Sequence, residues 1–272
     1  MWSDFELLAI GAAEAAHHLE RPGLMARMLG LQGALACRRG LADEGRRHWE
    51  HRLNLCESLG DRRGCVDALF DLAAQAFQAR NGPAAKTLLT RALAIARSLR
   101  SPDMLATARA IQAEAAAAQG DEAMARKRAL QAQGLAQIGT DRDLHLYVYR
   151  TLGRVHRALG DPDSAEIALR TMLQSASEGE RTLHICEALL ELGVLYEEKR
   201  WLQHAATAYV GACNMLDHIS PAMQRQARQA LARLESVYRT DPVRLFIEKA
   251  RQSSWRDSVR QLLEERLQDS SP

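Results

Sequence analysis

Residues 141–160 read DRDLHLYVYRTLGRVHRALG, and the Leu152-Gly153-Arg154 step inside them recurs in kind every forty residues. The positions equivalent to Gly153 are Gly33, Ala73, Ala113 and Gly193. Twelve residues beyond each stand Gly45, Ala85, Ala125, Ala165 and Ala205. A constant period that keeps small residues at two fixed places is the signature of a stacked repeat rather than a single closed globule.

The fourth copy shows how one unit is built. Leu144, Val148, Leu152 and Val155 recur at helical spacing, and Gly160-Asp161-Pro162 breaks the pattern. Asp161 is placed as an N-cap, and proline is tolerated in the first helical turn. A second helix is predicted over Ser164 to Ser175, with Ala165, Ala168, Leu169 and Met172 on one face. The unit is therefore an antiparallel helical hairpin. Glycine in a helix interior costs about 1 kcal/mol relative to alanine. The expected compensation at Gly153 is close approach of the paired helix, with that helix's own small residue, Ala165, facing the gap.

Composition agrees with an all-helical chain. Hydrophobic residues make up 47% of the 272, aromatics only 5%, and alternating strand patterns are missing. A net charge of +2 argues against a general nucleic-acid binder, which needs a one-sided basic excess. Basic pairs such as Arg38-Arg39 and Arg62-Arg63 fall near turns and read as solvated surface. No apolar run approaches the ~18 residues of a membrane span. The N-terminus carries Asp4 and Glu6 where a signal peptide needs positive charge. Five cysteines without regular spacing are expected to be reduced, in a cytoplasmic protein.

The hairpin resembles the tetratricopeptide repeat, which places a Leu-Gly pair and an aromatic in its first helix and a small residue in its second. Leu192-Gly193-Val194-Leu195-Tyr196 with Ala205 and Tyr209 carries the pattern, as do Leu152-Gly153, His156, Ala165 and Leu169. The third copy is the weakest, with Gln112-Ala113 and Ala129. A forty-residue period is similar to the arrays of kinesin light chains and of bacterial signalling proteins related to the maltose regulator. HEAT and armadillo repeats also reach this length, but the paired small positions fit the tetratricopeptide packing better. The resemblance implies an all-α, right-handed α-solenoid of antiparallel helical hairpins.

Residues 22–219 then form five repeats. Residues 1–21 read as a lone capping helix, with Ser3 and Glu6 spaced as a capping box and Ala12, Ala16 and Leu19 in register. Residues 220–272 read as a degenerate sixth repeat with capping helices. There Met223, Ala227, Ala230, Leu234 and Val237 mark one helix and Asp241-Pro242 starts another. Ser254 caps the last, whose stripe of Trp255, Val259, Leu262 and Leu263 is expected to cover the end of the array, Trp255 foremost.

No phosphate loop, nucleophile elbow, HExxH or CxxC pair is present, so enzymatic activity, a metal and a cofactor are not expected. His48 and His51 sit one turn apart, but on the outer side and without a third ligand. Cys37, Cys56, Cys65, Cys186 and Cys213 read as small apolar fillers.

In tetratricopeptide proteins the first helices line a concave groove. By that resemblance the partner-binding residues are Phe70 and Phe77 as an exposed apolar wall, then Tyr147, Arg150, Arg154 and Arg157, then Leu190 and Val194. Helical spacing independently puts the three arginines on one face, where guanidinium suits a carboxylate or phosphate. Glu114, Glu187 or Glu191 could equally neutralise them from neighbouring helices. The Lys and Asn pattern that chaperone-tail receptors use is replaced here by Gly30 and Ala34, Phe70 and Ala74, and Arg150 and Arg154.

The expected function is a non-enzymatic module that binds a peptide or helix of another protein, with no nucleic acid or membrane partner. The alternative is a regulatory segment of a bacterial signalling or transcription-regulating protein, answering to a ligand or peptide. Self-association through the terminal helices is a third reading.

Overall fold

The structure, a computed structural model, describes residues 18–215, 221–238 and 241–264, together with Gly11 and Ala15. The proposed cap at Ser3 and Glu6 lies outside these residues, as do Ala12 and Ala16. Among the described residues there are thirteen helices and no strand. They fall into two compact units, Met1–Leu144 and His145–Pro272.

The first unit contains α1 (Pro22–Arg38), α2 (Ala42–Leu59), α3 (Arg62–Gln78), α4 (Gly82–Leu99), α5 (Pro102–Ala118) and α6 (Glu122–Ala136). Each packs against the next in sequence, and α3 also touches α5. Helix α7 (Arg142–Ala158) crosses the boundary between the units. The second unit continues with α8 (Pro162–Glu178), α9 (Thr182–Glu198), α10 (Leu202–Cys213), α11 (Pro221–Val237), α12 (Asp241–Arg251) and α13 (Trp255–Glu264). The predicted second helix of the fourth repeat is thus a turn longer, at its C-terminal end, than Ser164 to Ser175.

Helix ends follow a twenty-residue beat. Left-handed backbone occurs at Gly40, Gly60, Arg80, Arg100, Gly120, Gly160, Glu180 and Arg200. At most of these the same two hydrogen bonds close the helix. Asp61 N donates to Cys56 O and Gly60 N to Glu57 O, and the pair repeats twenty residues on at Asn81 and Arg80. The next helix then starts at once. Asp61, Asn81, Ser101, Asp121 and Asp161 each accept a hydrogen bond from the backbone N–H three residues on. Between α1 and α10 the beat fails once, after α6. There Gly139 leaves room for the Asp103 carboxylate, which accepts from Asp141 N at 3.1 Å and holds the loop on the start of α5.

All ten small positions are buried. What fills the gap differs from the expectation. A Cβ on Gly153 would meet Leu169 Cδ2 at 2.5 Å, and one on Gly33 or Gly193 would strike the ring of Trp49 or Tyr209. The occupant is the large residue sixteen positions on, one turn beyond the small one. The small residue of the second helix serves a different approach: a Cβ on Gly45 lies 2.9 Å from Gly33 O and against Cys37 Sγ. The physical reason is that a knob needs a hole, and Ala165 has no knob to insert.

At the C-terminal end α10 is enclosed by α9, α11, α12 and α13. Every residue from Ala205 to Ala212 is buried, which is why this helix is apolar all round. Ser254 and Asp257 form the expected cap, Asp257 N donating to Ser254 Oγ at 3.2 Å and Ser254 N to Asp257 Oδ2 at 3.1 Å. Covering falls to Ser258, Val259 and Leu262, with Ser258 Cβ 2.8 Å from where a Gly211 Cβ would stand. Trp255 is only half-buried, with the Arg256 guanidinium 4.7 Å from its ring centre.

The left-handed arginines make a simple prediction. A left-handed L-residue costs about 1–2 kcal/mol, part of which glycine returns through its greater unfolded freedom. Arg100→Gly, at φ 51° and exposed, should gain about 0.5–1 kcal/mol and raise the thermal midpoint. A lower midpoint would show that the Arg100 side chain holds the turn.

Candidate functional site

In the second unit the structure brings together most of the residues assigned to partner binding. Arg150, Arg154 and Arg157 on α7 face Glu187, Glu191 and Glu198 on α9. Arg150 Nη1 donates to Glu187 Oε2 at 2.9 Å, and Arg157 Nη1 to Glu191 Oε2 at 3.2 Å. Arg154 Nε lies 3.9 Å from Glu191 Oε1, and Arg157 Nε 3.7 Å from Glu198 Oε1. The two helices thus carry facing rows of opposite charge, each at helical spacing. The Tyr147 ring packs under the Arg150 guanidinium, 5.3 Å from its centre. Tyr147 and Val194 are half-buried, whereas Leu190 is buried at 5%.

The ladder is graded. The Arg150–Glu187 pair is the most enclosed, with side chains 28% and 16% exposed, while Arg154 keeps 44% and Glu198 53%. Pairs of the exposed kind contribute about 0–1 kcal/mol. The row therefore holds the two first helices together at one end and remains exchangeable at the other.

Phe70 departs from its assignment. It is 5% exposed and belongs to the core. Helix α3 is packed by α2, α4 and α5, and buries Cys65, Val66, Ala68, Leu69, Phe70, Leu72 and Ala73 around most of its circumference. A large aromatic at that register is drawn into the contact between first helices. Phe77, near the C-terminal end, is half-buried. A polar feature of this region is Arg52, mostly enclosed, which reaches across from α2 to Asp67 Oδ2 and Asp71 Oδ2, each at 3.3 Å. Burial pushes the Asp67 carboxyl up, against the pull of the Arg52 and Arg63 charges.

A buried polar cluster escaped the sequence reading. Glu166 on α8, 2% exposed, accepts from Lys199 Nζ at 2.9 Å and Tyr196 Oη at 3.2 Å, with Arg170 Nη1 at 3.6 Å. Every partner lies within α8, α9 and the turn after it, so the carboxylate locks that pair of helices. Nearby, the Tyr209 hydroxyl donates to Glu197 Oε2 at 2.9 Å, which also accepts from Arg233 Nη2 at 2.7 Å. Burial, then this hydrogen bond, raises the Tyr209 phenol well above its ordinary range.

The thiols behave as packing groups. Burial pushes Cys56 up to about 11 and Cys186 up to about 12, so neither is a thiolate at neutral pH. Among the described residues no cluster of three or more His, Cys, Asp or Glu could hold a metal ion. His48 lies 3.8 Å from Glu44, on the outer side of α2, and His51 is exposed. No described helix is long and apolar enough to cross a membrane. No protein-family model matches the chain, and comparison with curated proteins finds no match.

The enclosed end of the ladder is measurable. A double-mutant cycle between Arg150→Ala and Glu187→Ala should give a coupling of about 1 kcal/mol in chemical denaturation. Additive effects would show that the pair does not join α7 to α9.

Proposed function

We propose that the chain is a non-enzymatic protein-interaction module of the tetratricopeptide type. In this reading it is a right-handed α-solenoid whose first helices hold a peptide or helix of a partner protein. The observation that carries the reading is the side-by-side arrangement of α7 and α9. Two successive first helices present rows of Arg and Glu, with half-buried Tyr147 and Val194 alongside. Support for the repeat type comes from the forty-residue hairpin and its glycine-to-large-residue nesting.

The partner suited to this face is an amphipathic segment with charges of both signs. An acidic side chain competes with Glu191 for Arg154, a basic one with the Arg157 pair for Glu198, and an apolar one rests on Val194 and Tyr147. Such exchange is feasible because the outer pairs contribute little internally. Opposed charges also reject partners with the reversed order. No catalytic role is assigned, since the thiols are protonated fillers and the buried carboxylate Glu166 is occupied by its own helices.

Photo-crosslinking tests the face directly. A benzophenone amino acid at Tyr147 or Val194 should capture a partner from native-cell extract, and the same probe at Ile167, exposed on α8, should not. Arg154→Glu should weaken capture by about tenfold or more while moving the thermal midpoint little. Equal capture at Ile167, or none lost with Arg154→Glu, would contradict the proposal.

A further inference from the structure

A cleft of about 430 Å³ lies between α4, α5 and α6 in the first unit, lined by none of the residues assigned to the partner. Arg97 comes from α4, Leu105 and Arg109 from α5, and Leu130, Gly134 and Leu135 from α6. Arg128 stands beside Arg109 on the α6 side, close enough for its charge, like that of Arg97, to act on it.

Arg97 and Arg109 thus share one cleft, and neither they nor Arg128 has a carboxylate within ion-pair distance among the described residues. The hydrogen bonds they do make are to neutral amides. Arg109 Nη1 donates to Gln112 Oε1 at 2.8 Å, and Arg128 Nη1 to Gln131 Oε1 at 3.0 Å. Those bonds fix the orientation of the heads without cancelling their charge. The consequence is visible at Arg109, whose guanidinium is held below the ordinary arginine range by burial and then by the charges of Arg128 and Arg97. Arg52, Arg150, Arg157 and Arg233, by contrast, each meet a carboxylate. Two like charges left together in a cleft, with the charge of Arg128 acting on one of them, call for an anion of more than one charge.

Apart from Gln131, the rest of the lining is apolar. Leu130 keeps 67% of its surface exposed on the cleft's rim. Gly134 has nothing within 4 Å of where its Cβ would be, so the space above it is open. The volume falls in the range of small-molecule sites, about 300–1,000 Å³.

We propose that this cleft binds a small phosphate monoester carrying an apolar group. The phosphate is held between Arg97 and Arg109 with Arg128 at its edge, and the apolar group lies on Leu105, Leu130 and Leu135 over Gly134. The phosphate dianion supplies the charge that the arginines lack within the fold. A monocarboxylate leaves them in excess, and a bare phosphate leaves the leucines uncovered. The proposal stands apart from partner binding at α7 and α9, because it uses none of the same residues.

Isothermal titration of the full chain with phenyl phosphate, inorganic phosphate and benzyl alcohol tests it. Phenyl phosphate should bind saturably and about tenfold or more tighter than inorganic phosphate, and benzyl alcohol should show no saturable binding. Arg97→Gln and Arg109→Gln should each weaken phenyl phosphate by about tenfold or more, and Arg225→Gln, on α11, should not. Gly134→Leu adds no charge, and its Cβ meets no neighbour within 4 Å, so it should abolish binding with little change in the melting curve. Arg97 is exposed, which keeps that variant informative if Arg109→Gln fails to fold. Arg109→Gln should also melt no lower than the parent in phosphate-free buffer, because it relieves repulsion. Equal affinity for the ester and the free phosphate, or binding that survives Gly134→Leu, would overturn the proposal.

Discussion

A missing side chain on one helix and a large one sixteen residues later on the next set the geometry of this protein. Gly33 receives Trp49, Gly153 receives Leu169 and Gly193 receives Tyr209. Each glycine costs about 1 kcal/mol of helix propensity, and burying a large side chain contributes about 1.5–3 kcal/mol, so the nest is favourable on balance. Rigid nesting also fixes how far apart and at what rotation the two helices lie. Ala73 with Leu89 and Ala113 with Ala129 occupy the same register and are buried as fully. The third copy has small residues on both sides, which is the reason its sequence looks weakest.

The charged features follow from that packing. Once hairpins are fixed, first helices of successive repeats are close enough for long side chains to span them, as Arg150 and Arg157 do, and Arg52 spans from a second helix to the next first helix. Spanning pairs hold neighbours together at modest energy, which leaves their outer members available. Lys199 and Tyr196 reaching Glu166 is the buried version of the same device, and there nothing remains to exchange. Arg109 and Arg128 differ, because each meets a glutamine on its own helix, Gln112 and Gln131, where those others meet glutamate or aspartate.

Much of the fold was legible because small residues and turn chemistry are local signals. The forty-residue period, the Asp161 and Ser254 caps and the starts of the last two helices could all be placed from sequence. The occupant of the glycine gap was misassigned to Ala165, since a small residue facing a small residue is the simpler pattern. The series Trp49, Leu89, Ala129, Leu169 and Tyr209 was in plain register and carried the answer. Phe70 was assigned to a surface because a register position does not reveal how many helices surround it. Burial of Glu166 had no sequence signal of its own, as its neighbours along the helix look like ordinary surface. The arginine ladder was readable as a face, but only the structure sets Glu187, Glu191 and Glu198 against it.

The nesting itself is open to a direct test by transposing sizes at one site. Gly153→Leu alone should cost at least about 1–3 kcal/mol from overpacking, measured by chemical denaturation. Adding Leu169→Gly moves the knob to the other helix and should recover a measurable part of that loss, although the new glycine itself carries about 1 kcal/mol of helix penalty. Partial rescue is the result expected if the two residues share one space. A double variant whose loss equals or exceeds the sum of the two single losses would contradict the account.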